Sequence, residues 1–175
     1  MTSARKDSLT LLLLGSIVFV LLGVALESIV PGPMSDFKAV YYAARCLMHH
    51  QDPYVNGAIL RAYQADGGVF PADPMIARSV QRAVLVCINL PTGLFLAAPF
   101  ALLPWAQAHL LCLAFMTGAL ILASLLMWNL GAERAPLVTG ALIALMLINS
   151  EVVVIIGNAA AIAIGLCVIA AWCFL

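Results

Sequence analysis

The chain has 175 residues, 65% of them hydrophobic and 9% charged. An ordinary soluble domain is about 45–50% apolar and about 25% charged, so this composition excludes one and points to an integral membrane protein. The formal net charge of zero excludes the basic field that a nucleic-acid partner would require.

The first element is an apolar run that carries no charge until Glu27 and is preceded by Arg5, Lys6 and Asp7. About 20 apolar residues cross the hydrocarbon core. The run exceeds the usual signal-peptide core of about 7–15 residues, and no A-x-A cleavage site follows it. It therefore reads as a retained first transmembrane helix over residues 9–30, with Glu27 near its outer end. Pro31, Gly32 and Pro33 then stop the helix and set up a turn.

Residues 31–82 hold most of the charges and read as a polar loop with short helices of its own. Over Ser35–His50, the residues Phe37, Val40, Tyr41, Ala44, Leu47 and Met48 share one helical face, as in an amphipathic helix lying on a membrane. Ser35 is placed to cap it and Asp36 sits in its first turn. On its own, Asp36 reads as a charge that complements the helix dipole. Tyr41, Tyr42, Tyr54, Tyr63 and Phe70 suit headgroup depth. Asp52-Pro53-Tyr54 reads as a turn. His49, His50 and Asp52 are too close in sequence to converge readily on one ion, and no metal is assigned. Lys38, Arg45, Arg61, Arg78 and Arg82 include candidates for gripping a phosphate, although each taken singly reads as part of a solvated face. Cys46, Cys87, Cys112, Cys167 and Cys173 stand alone, without metal spacing, and read as small hydrophobes. A disulfide between Cys46 and Cys87 is the alternative for those two.

Residues 83–132 contain no Asp, Glu, Lys or Arg. The stretch 90–103, broken up by Pro91 and Pro99 and followed by Pro104, reads as a segment dipping into the membrane. A second span over 105–130 has Trp105 and Trp128 as interface anchors. A polar turn over 129–136 leads to a third span over 137–153 and a fourth over 157–175. Glu151 interrupts the third span; an acid at mid-membrane costs about 2.5–3.5 kcal/mol on insertion scales, so it belongs at a helix end or facing a cavity. Asn149, Ser150, Glu151 and Asn158 form a polar group that shares the loop's side if the third span runs outward. Gly157, Ala159, Ala160, Ala161, Ala163 and Gly165 offer small-residue faces for close helix packing.

Arg5 and Lys6 favour a cytoplasmic amino terminus. The loop's own bases, which would argue the reverse, are offset by Asp36, Asp52, Asp66 and Asp73, and the loop is placed outside. The chain stops at Leu175 within apolar sequence, as an amino-terminal fragment of a longer product would.

Asp36-Phe37, Tyr41-Tyr42-Ala43-Ala44 and Asp52-Pro53-Tyr54 resemble the first-loop signature of glycosyltransferase family 87, membrane enzymes of the GT-C type. The stretch from Leu90-Pro91-Thr92-Gly93 to Pro99-Phe100-Ala101-Leu102-Leu103-Pro104 is similar to the family's proline-flanked segment, which more often begins Tyr-Pro-Pro. Gly157-Asn158 falls where the family often has Gly-Gln followed by Asn. The resemblance covers residues 9–175 and corresponds to the family's amino-terminal part only. It implies an all-α multi-span helical bundle of GT-C type, forming a single membrane domain over 1–175. It also implies a multi-pass cell-membrane protein with its active site on the extracytoplasmic side.

The implied reaction moves a hexose, mannose-like, from a polyprenyl-phosphate carrier to a hydroxyl of a lipid or glycan acceptor, with inversion. Asp36 is the implied general base. An acid at an apolar boundary is partly desolvated, which improves it as a base. Lys38 and Arg45 are the local candidates for the departing phosphate; Tyr41, Tyr42, Asp52, Tyr54, Glu151 and Asn158 complete the candidate binding set. The lipid-linked donor is a substrate, and no cofactor is implied. Two other classes compete. A non-catalytic scaffold or assembly subunit, or an inactive gene fragment, fits the short chain and its small-residue faces. A transporter part fits less well, because the charges gather in the loop rather than at the midplane.

Overall fold

The computed structural model describes residues 3–30, 33–87 and 89–174. Among them the chain is helical throughout, without a strand: α1 (Ser3–Ile29), α2 (Ser35–Met48), α3 (Asn56–Ala65), α4 (Pro74–Leu85), α5 (Pro91–Ala101), α6 (Trp105–Gly131), α7 (Pro136–Ile155) and α8 (Ala160–Cys173). Pro31 and Gly32, expected to stop α1, lie outside the described residues, as does Leu175. Two helices, α6 and α7, are long and apolar enough to cross a membrane. Shorter apolar stretches occur in α1 from Leu13 to Ile29, in α5 and in α8.

The chain divides into two compact units. One comprises Met1–Ile29, Ala114–Ile155 and Ala159–Leu175. Within it α1 packs on α7 and α7 on α8. Large apolar side chains such as Leu21, Leu122, Leu137 and Val152 point outward, while two of the buried polar side chains, Ser124 and Thr139, bond back to carbonyls four residues earlier. Ser124 Oγ donates to the Leu120 carbonyl at 2.8 Å and Thr139 Oγ1 to that of Ala135 at 2.9 Å. Such back-bonding leaves no orphan donor on an apolar helix. Gly165 fits the expected small-residue packing: a Cβ there would lie 2.7 Å from Ala119 Cβ of α6. Gly157 does not. It lies in the turn between α7 and α8, with φ of 72°.

The other unit comprises Val30–Leu113 and Ile156–Asn158. Its hub is α2, which packs against α3, α4 and most extensively α5. The expected one-sided amphipathic helix is corrected here. Phe37, Ala39, Tyr41, Tyr42, Ala43, Ala44 and Cys46 are buried, so both sides of α2 face protein. Val40 and Leu47 are half-buried and Met48 is exposed. The alanines permit this, since small side chains let three neighbours approach one helix. Tyr41, Tyr42 and Tyr63, expected as a headgroup belt, are core residues instead. Cys46 and Cys87 are free thiols, not a disulfide.

The capping of this unit follows simple rules. Asp73 caps α4, its Oδ1 accepting from the amides of Met75 and Ile76 at 2.7 and 3.2 Å, with Pro74 at the first helical position. The end of α2 is a Schellman motif. His50 takes the left-handed conformation (φ 56°), its amide reaching the Leu47 carbonyl at 3.1 Å and the Gln51 amide that of Cys46 at 2.9 Å. The His49-His50 pair thus has a plain backbone role. The start of α2 differs from expectation. Ser35 is not the cap; Met34 occupies that position in the left-handed conformation, with no side-chain hydrogen bond.

Candidate functional site around Asp36

Because Met34 cannot cap α2, the helix takes its cap from elsewhere in the chain. The Asp36 amide donates to the Ile156 carbonyl at 2.8 Å. Two residues on, Asn158 Nδ2 donates to Asp36 Oδ2 at 2.9 Å. The segment Ile156–Asn158 therefore holds Asp36 by both main chain and side chain. Asp36 Oδ1 has no hydrogen-bond partner among the described residues. The side chain is half-buried. It stands in the first turn of α2, where the helix's unpaired amides favour negative charge.

An aromatic cluster flanks this carboxylate. Phe37 meets Phe100 edge-on at 5.6 Å and Trp105 at 5.8 Å between ring centroids. Tyr41 and Tyr42 pack edge to face at 4.9 Å, and Trp105 stacks on Tyr42 at 6.0 Å and on His109 at 5.5 Å. Each such pair contributes about 0.5–1.5 kcal/mol beyond area burial. Trp105 is thus a hinge-pin of the polar unit and not simply the membrane anchor expected. Lys38 Nζ sits over its ring, 5.4 Å from the centroid, a cation–π contact.

Arg45 lies about two and a half turns along the same helix. It pairs with Asp66, just beyond α3, and its Nη1 also donates to the Tyr41 hydroxyl at 3.1 Å. Tyr41 Oη in turn donates to the Leu103 carbonyl at 2.7 Å. The chain Asp66–Arg45–Tyr41–Leu103 leaves the tyrosine hydroxyl fully satisfied. The Arg45–Asp66 pair borders two cavities. One, of about 250 Å³, is also lined by His49, Gln51 and Arg61; the other, of about 470 Å³, by Pro104 and Trp105. Burial pushes the Tyr41, Tyr42 and Tyr63 hydroxyls above the ordinary tyrosine range and the Cys46 thiol above its own. Desolvation of the charged form is the leading cause in each. All four therefore serve as neutral packing groups.

The remaining candidates are dispersed. Asp52 closes the expected turn, its Oδ1 accepting from the Tyr54 amide at 2.8 Å. Tyr54 is exposed, and its hydroxyl donates to the Asn89 carbonyl at 2.9 Å. Glu151 belongs to the other unit. It is 6% exposed, with neither carboxylate oxygen hydrogen-bonded among the described residues, and Oε2 would lie 3.2 Å from a Cβ at Gly23. Of the polar group expected around it, Asn158 alone joins Asp36; Asn149 bonds back to the Leu145 carbonyl at 2.7 Å.

Of the candidates, all but Glu151 belong to one unit; Asn158 bonds Asp36 directly, Lys38, Tyr41, Tyr42 and Arg45 share its helix, and the structure adds two residues that sequence reasoning passed over. Asp66 was one acid among several in a polar loop, and no local spacing tied it to Arg45. Gly157 looked like part of a small-residue helix face. Its place in Gly-Asn, just past a helical apolar run, is the signal that marks a left-handed turn. No protein-family model, curated protein or solved structure matches the chain.

Proposed function

We propose that the chain is a membrane glycosyltransferase of GT-C type that uses a polyprenyl-phosphate-linked hexose, with Asp36 as the general base. The observation that carries this reading is the state of Asp36. It is a half-buried carboxylate in the first turn of the helix that follows the apolar α1, with one oxygen held by a neutral amide and the other without a partner among the described residues. The first-loop resemblance and the two span-length helices support the same reading. In it the apolar helices form a multi-pass bundle and the polar unit lies on the extracytoplasmic face.

The chemistry is an inverting displacement. The acceptor hydroxyl oxygen attacks the anomeric carbon of the sugar, and its proton passes to Asp36 Oδ1. The bond between that carbon and the phosphate oxygen breaks, and polyprenyl phosphate departs with the electron pair. A positioned base of this kind contributes about 10²–10⁴-fold. Lys38 is the nearest base along α2 to assist the departing phosphate. Arg45 is less suited to that task than its charge alone implied, since Asp66 and Tyr41 already engage it.

The deciding experiment is transfer from polyprenyl-phosphate-[¹⁴C]mannose in membranes that contain the protein. Asp36→Asn keeps the shape and one acceptor oxygen for the Asn158 amide but cannot accept the proton. Loss of transfer by about 10²-fold or more, at unchanged protein level, is the expected result. Wild-type transfer by the variant rules the base out.

A further inference from the structure

We infer that Asn158 is a positioning residue for Asp36, fixing Oδ2 so that Oδ1 is the oxygen that takes the acceptor proton. The inference rests on the reading of Asp36 as the base and adds to it a second residue with a defined role. The observation behind it is a two-point attachment. Ile156 O holds the Asp36 main chain at 2.8 Å and Asn158 Nδ2 holds its side chain at 2.9 Å. One point alone would leave the carboxylate free to rotate about its side-chain bonds. Two points on one short segment set both the start of α2 and the direction of the carboxylate.

The geometry between these points is tightly specified. Gly157 has φ of 72°, and a Cβ there would lie 2.8 Å from Phe37 Cβ and 3.0 Å from Met34 Sδ. Only glycine allows the segment to pass so close. On the facing side, Met34 is itself left-handed at φ 57° and almost fully buried. A non-glycine residue in that conformation is uncommon, and such strain persists only where its surroundings enforce it. Two left-handed residues thus face each other at the point where Asp36 is gripped.

The amide is the right chemistry for this task. A lysine or arginine at residue 158 would neutralise the base it holds, whereas an asparagine Nδ2 donates a hydrogen bond without adding charge. It also marks the two oxygens as different. Oδ2 has a donor, and Oδ1 has no partner among the described residues.

The test uses the full chain in membranes with polyprenyl-phosphate-[¹⁴C]mannose, and compares Asn158→Ala, Asn158→Asp and Asp36→Asn. Misplacing a reacting group by about 1 Å costs on the order of 10²-fold. Asn158→Ala is expected to lower kcat by about that factor while KM for the donor stays unchanged. Asn158→Asp has the shape of asparagine but sets a second carboxylate against the first, so it is expected to lose at least as much. A purely structural role predicts that both variants lose folded protein in the membrane while kcat per folded molecule stays at the wild-type value. Should Asn158→Ala fail to fold, Asn158→Asp decides alone: wild-type kcat overturns the inference, and lowered kcat at unchanged KM supports it. If Asp36→Asn abolishes transfer while both Asn158 variants keep wild-type kcat, the positioning role falls and the base remains. If Asp36→Asn transfers normally, both fall.

Discussion

Asn158 and Asp36 are separated by 122 residues in the chain and joined by one hydrogen bond of 2.9 Å. The bond fastens the turn after α7 to the first turn of α2, so the unit around Asp36 is completed only when chain from both ends of the sequence meets. Gly157 makes that meeting close enough. Replacing it with alanine meets two costs: about 1–2 kcal/mol for a side chain in the left-handed region, and about 1–3 kcal/mol for crowding against Phe37 and Met34. Gly157→Ala is expected to lower thermal stability and to speed hydrogen exchange at the Asp36 amide, which donates to Ile156 O. An unchanged exchange rate at that amide would contradict the attachment.

Arg45 and Asp66 yield a prediction about coupling. Their side chains are 30% and 19% exposed, so the pair is partly screened and lies near the upper end of the roughly 0.2–1 kcal/mol seen for exposed pairs. Arg45→Gln and Asp66→Asn should each destabilise the protein, and the double variant should lose less than the sum of the two. Measured by thermal unfolding in detergent, strict additivity would show that the pair contributes nothing. Tyr41→Phe tests the next link. It leaves the part-buried Leu103 carbonyl without the donor it has at 2.7 Å, a loss of about 0.5–1.5 kcal/mol, with the aromatic packing intact.

These links show how far local sequence reaches. The apolar composition pointed to a membrane protein, and long apolar runs located α6 and α7, the second despite Glu151 within it, because a long apolar helix is recorded residue by residue. The Asp52 turn was likewise local, since Pro53 and the Asp52 side chain settle it together. The environment of α2 was not legible. Its periodicity marks one apolar face, but Ala39, Ala43 and Cys46 are small enough to sit against a neighbour on any side, so the pattern does not tell a membrane-lying helix from a hub. Asn158 stood out as a polar residue in apolar sequence, yet its partner depended on the path of the chain between them. Asp66 carried no mark at all, because its pairing with Arg45 is set by the angle at which α3 returns to α2.

Burial of Tyr41, Tyr42 and Tyr63 gives the polar unit an alkaline limit. Their hydroxyls titrate above the ordinary range in the folded protein, chiefly through desolvation, and near 10 when unfolded. The stability from keeping them neutral is therefore fully present below about pH 10. It is lost as the pH rises toward their folded values, because the unfolded chain releases those protons first. Melting temperature should be flat through neutral pH and fall in the alkaline range. Tyr42→Phe should flatten that fall, since Tyr42 is pushed up furthest and makes ring contacts that phenylalanine preserves. The check is melting temperature against pH for the two proteins, followed beside tyrosinate absorbance. An alkaline fall of equal steepness in both would remove Tyr42 as a cause.

Glu151 presents the reverse situation, a charged group whose removal should help the fold. It is 6% exposed within an apolar helix of span length, and neither oxygen has a hydrogen-bond partner among the described residues. Buried carboxylates without donors are destabilising, and because Glu151 lies near the end of α7 its insertion cost is below the roughly 2.5–3.5 kcal/mol of an acid at mid-membrane. Methionine has similar length and flexibility and no polar atom to desolvate. Near Gly23, where Oε2 would lie 3.2 Å from an added Cβ, it can adopt the same path without new branching. Glu151→Met should therefore raise the melting temperature and increase the amount of protein inserted into membranes. Greater stability joined to lost sugar transfer would mark Glu151 as a residue kept for function at the expense of stability. Lower stability would show that the carboxylate has a donor when the protein is in its membrane, and that the α1–α7 contact is built on it.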